Sequence, residues 1–423
     1  MTTGDGKRRE PAESLGRSST GPSQQHLMSR LASVLTMEGQ VLATVPAILS
    51  MTLWTIVLLS ACSIAYWTYL VAFVARGYEY PEPEHDLADV QVRFLTVEAE
   101  HIVQESVNAL PEAITDRHVI AEQPMEIGGA TVHVVPEAFE CAAIRKGRAL
   151  EWARQNLTCE QEYLLFLDED SIVNDLDGIP DADVVQFRER PRRSRSWLTY
   201  LAEVFRLGFQ VEQRAFPSLT VPLYAWGGGI AIRAELEDRI GWDRKTMIED
   251  TTFVWSVAAD EGIDLDFALA RATFDTQAPP TIRAMIGQRS RWIAGSQAER
   301  GLLSRLYRSL TTVRNLAWAF SPAVPVLTVV PLFVPGTIAF ELAFQVLSVA
   351  VFAFVIVWSV LGVRYYGESL SVGVALVVLT PIVSLLHSLG ALAGLVAPPT
   401  DFAVTRKVEP ELVETADREV DGD

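Results

Sequence analysis

The sequence predicts a soluble α/β domain inserted between membrane-spanning α-helices. Residues 41–75 contain no Asp, Glu, Lys or Arg, and three further uncharged stretches run over 315–340, 342–363 and 369–400. A helix needs about 20 mainly apolar residues to cross a hydrocarbon core of ~30 Å, so each stretch is long enough to span a membrane. The residues between them, 80–314, alternate short apolar runs with helical patterns, which is typical of a sheet with many parallel strands.

The elements of this soluble part follow in order from the local patterns. Strands are predicted over 89–97, 117–120, 130–135 and 163–167, and helices over 101–110 and 142–155. The run 163–167 is apolar at every position, as expected for a strand buried on both faces. The complete organisation that we expect is a polar, largely disordered tail over 1–40, a transmembrane segment over 41–76, an α/β domain over 88–300, amphipathic interface helices over 301–322, transmembrane helices over 323–398 and an acidic tail over 399–423.

Composition limits the classes of partner. The net charge is −18, from 53 acidic and 35 basic residues, and only four of the basic residues are lysine. A nucleic-acid partner would need a basic surface, so we exclude that class. An acidic chain with so few lysines resembles proteins of salt-loving organisms. The three cysteines have no paired spacing, which argues against a disulfide scaffold or a zinc knuckle.

Carboxylates follow the buried strand 163–167 directly, as Asp168, Glu169 and Asp170. Ligands of open α/β sheets bind beyond the carboxyl ends of the strands, so these side chains are expected at a binding crevice. Two carboxylates one residue apart suit Mg²⁺ or Mn²⁺, which complete their coordination with phosphate oxygens. Taken alone, an acidic surface turn would explain the same residues.

Further motifs follow the carboxylates at family-like spacing: Trp226–Gly229, Ile248–Asp250 and Gln288–Trp292, with Lys146–Leu150 upstream. Together they resemble the processive branch of the family-2 glycosyltransferases, which includes cellulose, chitin and hyaluronan synthases. The resemblance covers roughly residues 90–300 and is closest to the egghead-type β-1,4-mannosyltransferases. It implies a GT-A (Rossmann-like) glycosyltransferase domain. A haloarchaeal source is the further expectation from composition.

The resemblance also implies a role for each motif residue. Asp250, with Glu249 beside it, would be the catalytic base that takes the acceptor proton. Asp170 and Asp168 would hold Mg²⁺ or Mn²⁺ against the diphosphate of the donor. The residues expected to bind the nucleotide-sugar donor are Glu122, Lys146, Asp168 and Arg291. Those expected to bind the acceptor are Gln288, Trp292, Gly228 and Gly229.

Two departures from the family pattern leave the identity of the donor nucleotide open. The first strand ends in Leu95–Glu98 where the family has P-x-Y-N-E, and residues 120–124 replace its nucleotide-binding D-D-x-S segment. Glu122 is assigned to the donor by its position only. Single motifs also have simpler explanations: Glu249 and Asp250 could cap a helix, Trp292 could anchor the chain at a membrane interface, and the glycines could form a turn.

The function that we expect is transfer of a hexose from a UDP- or GDP-sugar to a growing polysaccharide or a lipid-linked glycan, with inversion. Two alternatives stay open: a single-addition hexosyltransferase acting on polyprenyl phosphate or a glycolipid, and a non-catalytic membrane protein with a degenerate transferase domain. The expected partners are the nucleotide sugar, the acceptor and membrane lipids.

Charged segments next to the apolar stretches predict the orientation. Arginines over 300–314 precede the late spans, so the positive-inside rule places the soluble domain in the cytoplasm of a multi-pass protein of the cell membrane. Residues 188–195 (RERPRRSR) are either a solvated face or, with the helical pattern that follows them, a surface near lipid headgroups. Residues 402–407 resemble the F-x-V-T-x-K gating motif of cellulose synthases, whose function would need a cytoplasmic C-terminus, whereas three late spans put it outside. His387 is expected to be a satisfied polar residue between helices.

Overall fold

A mixed β-sheet forms the centre of the α/β domain in the computed structural model, which describes residues 22–399, 407–409 and 413. Within these residues the sheet has eight strands in the order β3-β2-β1-β4-β7-β6-β8-β5. The strands are β1 (Val90–Thr96), β2 (Asp116–Ala121), β3 (Thr131–Val134), β4 (Tyr163–Asp168), β5 (Ile172–Asn174), β6 (Val184–Arg192), β7 (Ile230–Arg233) and β8 (Phe267–Gln277).

The parallel half of the sheet is the Rossmann-like part. Strands β3, β2, β1 and β4 run parallel to one another, and β7 then pairs antiparallel with β4. Residues Tyr163–Leu167 of β4 are buried, since helices cover both faces of a parallel sheet and favour continuous apolar strands. The predicted α/β class is therefore confirmed.

Helices form layers on both faces of the sheet and continue into an apolar bundle. Val103 and Val107 belong to the core on one face, and Leu150, Phe253 and Val254 belong to the core on the other. The helices are α1 (Pro22–Tyr69), α2 (Glu100–Asn108), α3 (Lys146–Asn156), α4 (Trp197–Gln210), α5 (Ala234–Ile240), α6 (Glu249–Ala259), α7 (Ile282–Glu299), α8 (Arg305–Phe320), the single turns α9 (Val324–Leu327) and α10 (Val330–Phe333), α11 (Glu341–Tyr366) and α12 (Leu370–Val396).

Among the described residues, three helical segments are long and apolar enough to cross a membrane: Thr44–Val74, Glu341–Tyr366 and Leu370–Val396. The predicted late span over 315–340 is not among them. Prolines at 322, 325, 331 and 335 remove backbone donors and interrupt the helix, so the stretch contains the end of α8 and the short turns α9 and α10. Two late helices of spanning length remain.

Glycines bring two helices of the soluble domain against the apolar bundle. A Cβ on Gly390 of α12 would lie 2.7 Å from the Ile286 carbonyl oxygen of α7, and one on Gly394 would collide with the backbone of Ser290. Similarly, a Cβ on Gly362 of α11 would lie 2.8 Å from the Val204 carbonyl oxygen of α4. Small residues at such spacing let helix backbones approach closely, so α7 and α4 rest directly on α12 and α11.

The structure differs from two further sequence expectations. Helix α1 begins at Pro22, inside the segment expected to be a disordered tail over 1–40, and residues 1–21 lie outside the described part of the chain. Three of the five arginines of 188–195 belong to strand β6, and two of these pair with carboxylates of the fold: Arg190 Nε donates to Asp275 Oδ1 at 2.8 Å, and Arg192 Nη2 donates to Glu105 Oε1 at 2.8 Å.

Candidate active site

The carboxyl end of β4 delivers the first carboxylates of the site. Asp168 is the last residue of the strand, where its register partner is Leu95 of β1. The Asp168 Oδ1 atom accepts a hydrogen bond from Lys146 Nζ at 2.8 Å. Burial would raise the pKa of Asp168, but the charge and the hydrogen bond of Lys146 outweigh burial and lower it. Asp168 is therefore held as an anion.

Lys146, at the start of α3, joins two distant motifs. Its Nζ atom lies 2.8 Å from Asp168 Oδ1 and 3.4 Å from Asp250 Oδ1. Asp250 is in the first turn of α6, where the positive end of the helix dipole favours acidic residues. Burial opposes the charge of Lys146, but Asp168 and Asp250 outweigh it and raise its pKa. One ammonium group thus holds together carboxylates that are far apart in the sequence.

The environment of Asp250 makes it a stronger base than an exposed aspartate. Burial raises its pKa, with Lys146 opposing and Asp168 adding to the rise. The neighbouring Glu249 has a pKa raised to about 7 by burial and by the charge of Asp250. Gly227 packs so closely on Asp250 that a Cβ on this glycine would collide with the carboxylate. The glycine therefore creates the space that Asp250 occupies.

Asp170 contacts the end of strand β8 and a residue near the C-terminus. Its Oδ2 atom accepts hydrogen bonds from Gln277 N and from Lys407 Nζ, each at 2.7 Å. Gln277 and Val408 exchange two further hydrogen bonds, with Val408 N donating to Gln277 Oε1 at 2.9 Å and Gln277 Nε2 donating to Val408 O at 3.0 Å. Of the predicted gating segment 402–407, only Lys407 is described. Its contact places this part of the C-terminal segment at the carboxylates of the sheet.

Asp170 and Asp168 fit a divalent cation by their chemistry. The Oδ1 atom of Asp170 is buried and has no hydrogen-bond partner among the described residues, which leaves a carboxylate oxygen for a ligand. The described ranges contain no cluster of three or more His, Cys, Asp or Glu side chains arranged to hold a metal. A hard cation at this pair would therefore need oxygen atoms from a substrate, as Mg²⁺ commonly does.

Helix α7 carries the Gln288–Trp292 motif. Arg289 is fully buried and donates to Gln288 Oε1 at 2.6 Å. The Trp292 ring centroid lies 4.4 Å from the Arg289 guanidinium and 5.4 Å from that of Arg206, distances typical of cation–π contacts. Burial lowers the pKa of Arg291, while Glu249 and Asp168 oppose that change. The helix thus presents a polar side chain, a cation and an aromatic ring together.

One cavity of about 770 Å³ connects most of these groups. The predicted site residues that line it are Glu122, Lys146, Asp168, Glu249, Asp250, Gln288, Arg291 and Trp292. Asp170, Gly228 and Gly229 are not among the described residues of the lining. The Gly228 carbonyl accepts from Ser171 Oγ at 2.7 Å, and that of Gly229 from Gln186 Nε2 at 2.7 Å. These two glycines are therefore occupied within the fold, and Gly227 is the one that reaches the cavity.

Glu169 and Lys407 are two of the lining residues that were not among the predicted site residues. Glu169 accepts a hydrogen bond from Thr96 Oγ1 at 2.7 Å, and burial raises its pKa to about 7. The signal in the sequence that could have identified Glu169 as a site residue is its position between Asp168 and Asp170. Lys407 was noted only within a motif. Conversely, Glu122 lines the cavity but forms an ion pair with Arg148 at 3.1 Å.

The comparisons with known proteins assign the class. Residues 163–385 match the family described as "Glycosyl transferase family group 2", and the chain belongs to that family. It is a glycosyltransferase, and its domain has the predicted GT-A type of fold. No curated protein matches the chain. Among solved structures it is similar to the mannosyltransferase PcManGT from Pyrobaculum calidifontis in complex with GDP-Man and Mn²⁺. The identity is 13%, the match covers 81% of this chain and 99% of that one, and the TM-score is 0.47.

Proposed function

We propose that this protein is a membrane-embedded, inverting hexosyltransferase that uses a UDP- or GDP-sugar and a glycan or lipid-linked acceptor. The observation that carries the proposal is the bridge from Lys146 to Asp168 and Asp250. It joins the carboxyl end of β4 to the start of α6 in the cavity that Trp292 also lines. A donor at one carboxylate and an acceptor at the other would then meet within a single pocket.

Asp250 is the proposed general base. Its raised pKa strengthens it as a proton acceptor while the Lys146 charge keeps an anionic form accessible, and a base matched to working pH is the more effective catalyst. The Asp250 carboxylate takes the proton of the acceptor hydroxyl as that oxygen forms a bond to the anomeric carbon. The bond from this carbon to the diphosphate breaks with its electron pair on the leaving oxygen. A single displacement inverts the configuration.

Cationic side chains receive the leaving diphosphate. Arg291 and Lys407 line the same cavity, and a guanidinium fork matches the geometry of phosphate oxygens. Asp168 and Asp170 would hold Mg²⁺ or Mn²⁺, which would neutralise charge on the diphosphate. Trp292 offers an aromatic face to the acceptor sugar, and Gln288 offers an amide.

The same contacts support a membrane orientation. The hydrogen bond from Lys407 to Asp170 supports a hairpin of two crossings by α11 and α12, because such a hairpin returns the chain to the side of the catalytic domain. The arginines over 300–314 flank this side, which favours the cytoplasm. We therefore propose a multi-pass protein with a cytoplasmic catalytic domain and C-terminus.

Asp250→Asn tests the catalytic assignment. Purified full-length protein is supplied with UDP- and GDP-hexoses and Mg²⁺ or Mn²⁺, and nucleotide release is measured with acceptor. We expect kcat to fall by about 10²- to 10⁴-fold, while donor still raises the melting temperature. Asp260→Asn is the matched control, because Asp260 follows the far end of the same helix and pairs with Arg239. Wild-type turnover in Asp250→Asn would show that another group is the base.

A further inference from the structure

A buried carboxylate on α4 joins that helix to α7, which carries the Gln288–Trp292 motif. Glu203 is 3% exposed, and each of its two oxygen atoms accepts a hydrogen bond from a guanidinium. Arg206 Nε, on the same helix, donates to Oε2 at 2.6 Å, and Arg289 Nη2, on α7, donates to Oε1. Glu203 therefore bridges one arginine of each helix.

The two arginines that Glu203 binds both contact the ring of Trp292. The ring centroid lies 4.4 Å from the Arg289 guanidinium and 5.4 Å from that of Arg206, distances typical of cation–π contacts. Arg289 Nη1 also donates to Gln288 Oε1 at 2.6 Å, so the amide nitrogen is the end that remains to donate to a hydroxyl group. The ring and the amide are thus both held by guanidiniums that share one carboxylate.

This arrangement depends on the negative charge of Glu203. Burial would raise the pKa of Glu203, but the charges of Arg289 and Arg206 outweigh it and lower the pKa, so the side chain is an anion at neutral pH. Burial lowers the pKa of Arg289, Glu203 opposes that change, and Arg206 adds to it. The two guanidiniums therefore repel each other, and the carboxylate that both of them bind compensates this repulsion.

Arg289 depends on Glu203 more than Arg206 does. Arg206 Nη2 donates to Glu189 Oε1 at 2.5 Å, so this arginine has a second carboxylate. The described residues give Arg289 only one. Its Nε atom is buried without a hydrogen bond, as is Nδ1 of His387, for which the expectation of a satisfied histidine is wrong. Because a buried charge without a partner is costly, loss of Glu203 would displace the Arg289 guanidinium.

We propose that Glu203 is a positioning residue of the acceptor site. Both of its oxygen atoms are occupied, so it acts through the guanidiniums that bind it, and these hold the Trp292 ring and the Gln288 amide in place. The inference rests on the proposed function, because that function assigns these two side chains to the acceptor. It adds a residue of α4 that belongs to none of the sequence motifs.

Glu203→Gln tests the inference in purified full-length protein. The glutamine amide keeps one acceptor oxygen, but it loses the charge and turns its NH₂ group toward a guanidinium, so only one arginine can stay bound. Donors are UDP- and GDP-hexoses with Mn²⁺, and acceptors are β-linked gluco- and manno-hexasaccharides or polyprenyl phosphate in lipid vesicles. We expect kcat/KM for the acceptor to fall about 10- to 100-fold, the effect of one hydrogen bond to a charged group. Donor KM and donor hydrolysis without acceptor should stay close to wild type.

A second readout does not depend on turnover. Protein labelled with fluorotryptophan gives a fluorine NMR signal for each tryptophan, and the signal of Trp292 is assigned by its absence in Trp292→Phe. In Glu203→Gln this signal should shift or broaden, because the guanidiniums that contact the ring are displaced. Arg289→Lys is the second variant if Glu203→Gln does not fold. It keeps the positive charge but lacks the planar fork, so it should change the same two readouts.

Glu237→Gln is the matched control. Glu237 is also a buried carboxylate, paired with Arg93 at 3.0 Å, but it belongs to α5 and is not among the described residues that line the cavity. Its replacement should lower the melting temperature, as that of Glu203 does. The kcat/KM for the acceptor and the Trp292 signal should both equal those of the wild type.

The outcomes separate this inference from the proposed function. A folded Glu203→Gln protein with wild-type kcat/KM for the acceptor and an unchanged Trp292 signal would overturn the inference, as would equal losses of acceptor transfer and donor hydrolysis. The transferase assignment would stand in both cases. If no UDP- or GDP-hexose releases nucleotide from the wild type, the proposed function fails, and the Trp292 signal alone then decides whether Glu203 positions the ring.

Discussion

Gly227→Ala is a direct test of the packing that holds the proposed base. Gly227 is buried next to the Asp250 carboxylate, and an added Cβ would collide with both oxygens and with Cγ of that side chain. The backbone of Gly227 is not in the left-handed region, so alanine introduces the collision without backbone strain. The substitution therefore displaces a carboxylate and leaves the chain path intact.

The expected loss of activity follows from the size of this displacement. Carbon and oxygen atoms pack at roughly 3.5 Å, so the Asp250 carboxylate must retreat by about 1 Å. It would then lose its position relative to Lys146, whose Nζ atom lies 3.4 Å from Asp250 Oδ1. Misplacement of a reacting group by about 1 Å can cost 10²-fold in rate. We expect kcat/KM to fall about 100-fold, with a loss of stability of about 1–3 kcal/mol from overpacking.

The assay is nucleotide release by purified protein, with the melting temperature measured in parallel. Gly287→Ala is the control, because Gly287 is an exposed residue of α7 and a Cβ there meets no atom within 4 Å. That variant should retain activity and gain up to about 1 kcal/mol from helix propensity. A folded Gly227→Ala protein with wild-type kcat/KM would refute the reasoning, as would equal losses in the two variants.

Two further substitutions test the helix contact and the buried acid. Gly394→Ala inserts a methyl group against the Ser290 backbone and should lower the melting temperature and kcat together. Gly373→Ala is the control, because its Cβ meets only the Val363 side chain, at 3.3 Å, and it should leave kcat unchanged without lowering the melting temperature. Equal melting temperatures of the two variants would contradict the packing. The pKa of Glu249 is raised from 4.5 to about 7, so the folded state binds the proton more tightly than the unfolded state does. The free energy of unfolding should therefore fall by about 3 kcal/mol as the pH rises from about 4.5 to 7. Thermal unfolding of Glu249→Gln should lack this loss, and parallel pH profiles for the two proteins would show that Glu249 titrates normally.

The sequence predicts the centre of the fold well because its signals there are local. The apolar run of β4 leads directly into Asp168. The geometry of the strand alone therefore places that residue at the carboxyl end of β4. Likewise, Asp250 starts a helix, where acidic residues are favoured. The convergence of these residues with Trp292 was inferred from the order of motifs. Asp168, Asp250 and Trp292 line one cavity, which agrees with that inference.

The sequence is less informative where partners are distant or hydropathy misleads. The stretch 315–340 is apolar enough to span a membrane, but its prolines interrupt the helix. The arginines of β6 resemble a lipid-facing surface until their carboxylate partners, such as Asp275, are seen. Gly227 and Gly228 cannot be distinguished by type, since only the packing shows which one contacts Asp250. Lys407 follows the apolar helices and is distant from Asp170 in the sequence, so only the contact between the two side chains identifies it as a site residue.

Helix α7 connects the α/β domain to the bundle of apolar helices. One face of α7 carries Arg291 and Trp292 into the cavity, while Ile286 and Ser290 rest on Gly390 and Gly394 of α12. Because a methyl group at either glycine would meet backbone atoms, α7 cannot move relative to α12 without loss of this contact. The position of Trp292 relative to Asp250 is therefore set by a helix of the apolar bundle. This contact gives a physical reason for the presence of a glycosyltransferase domain and its apolar helices in a single chain.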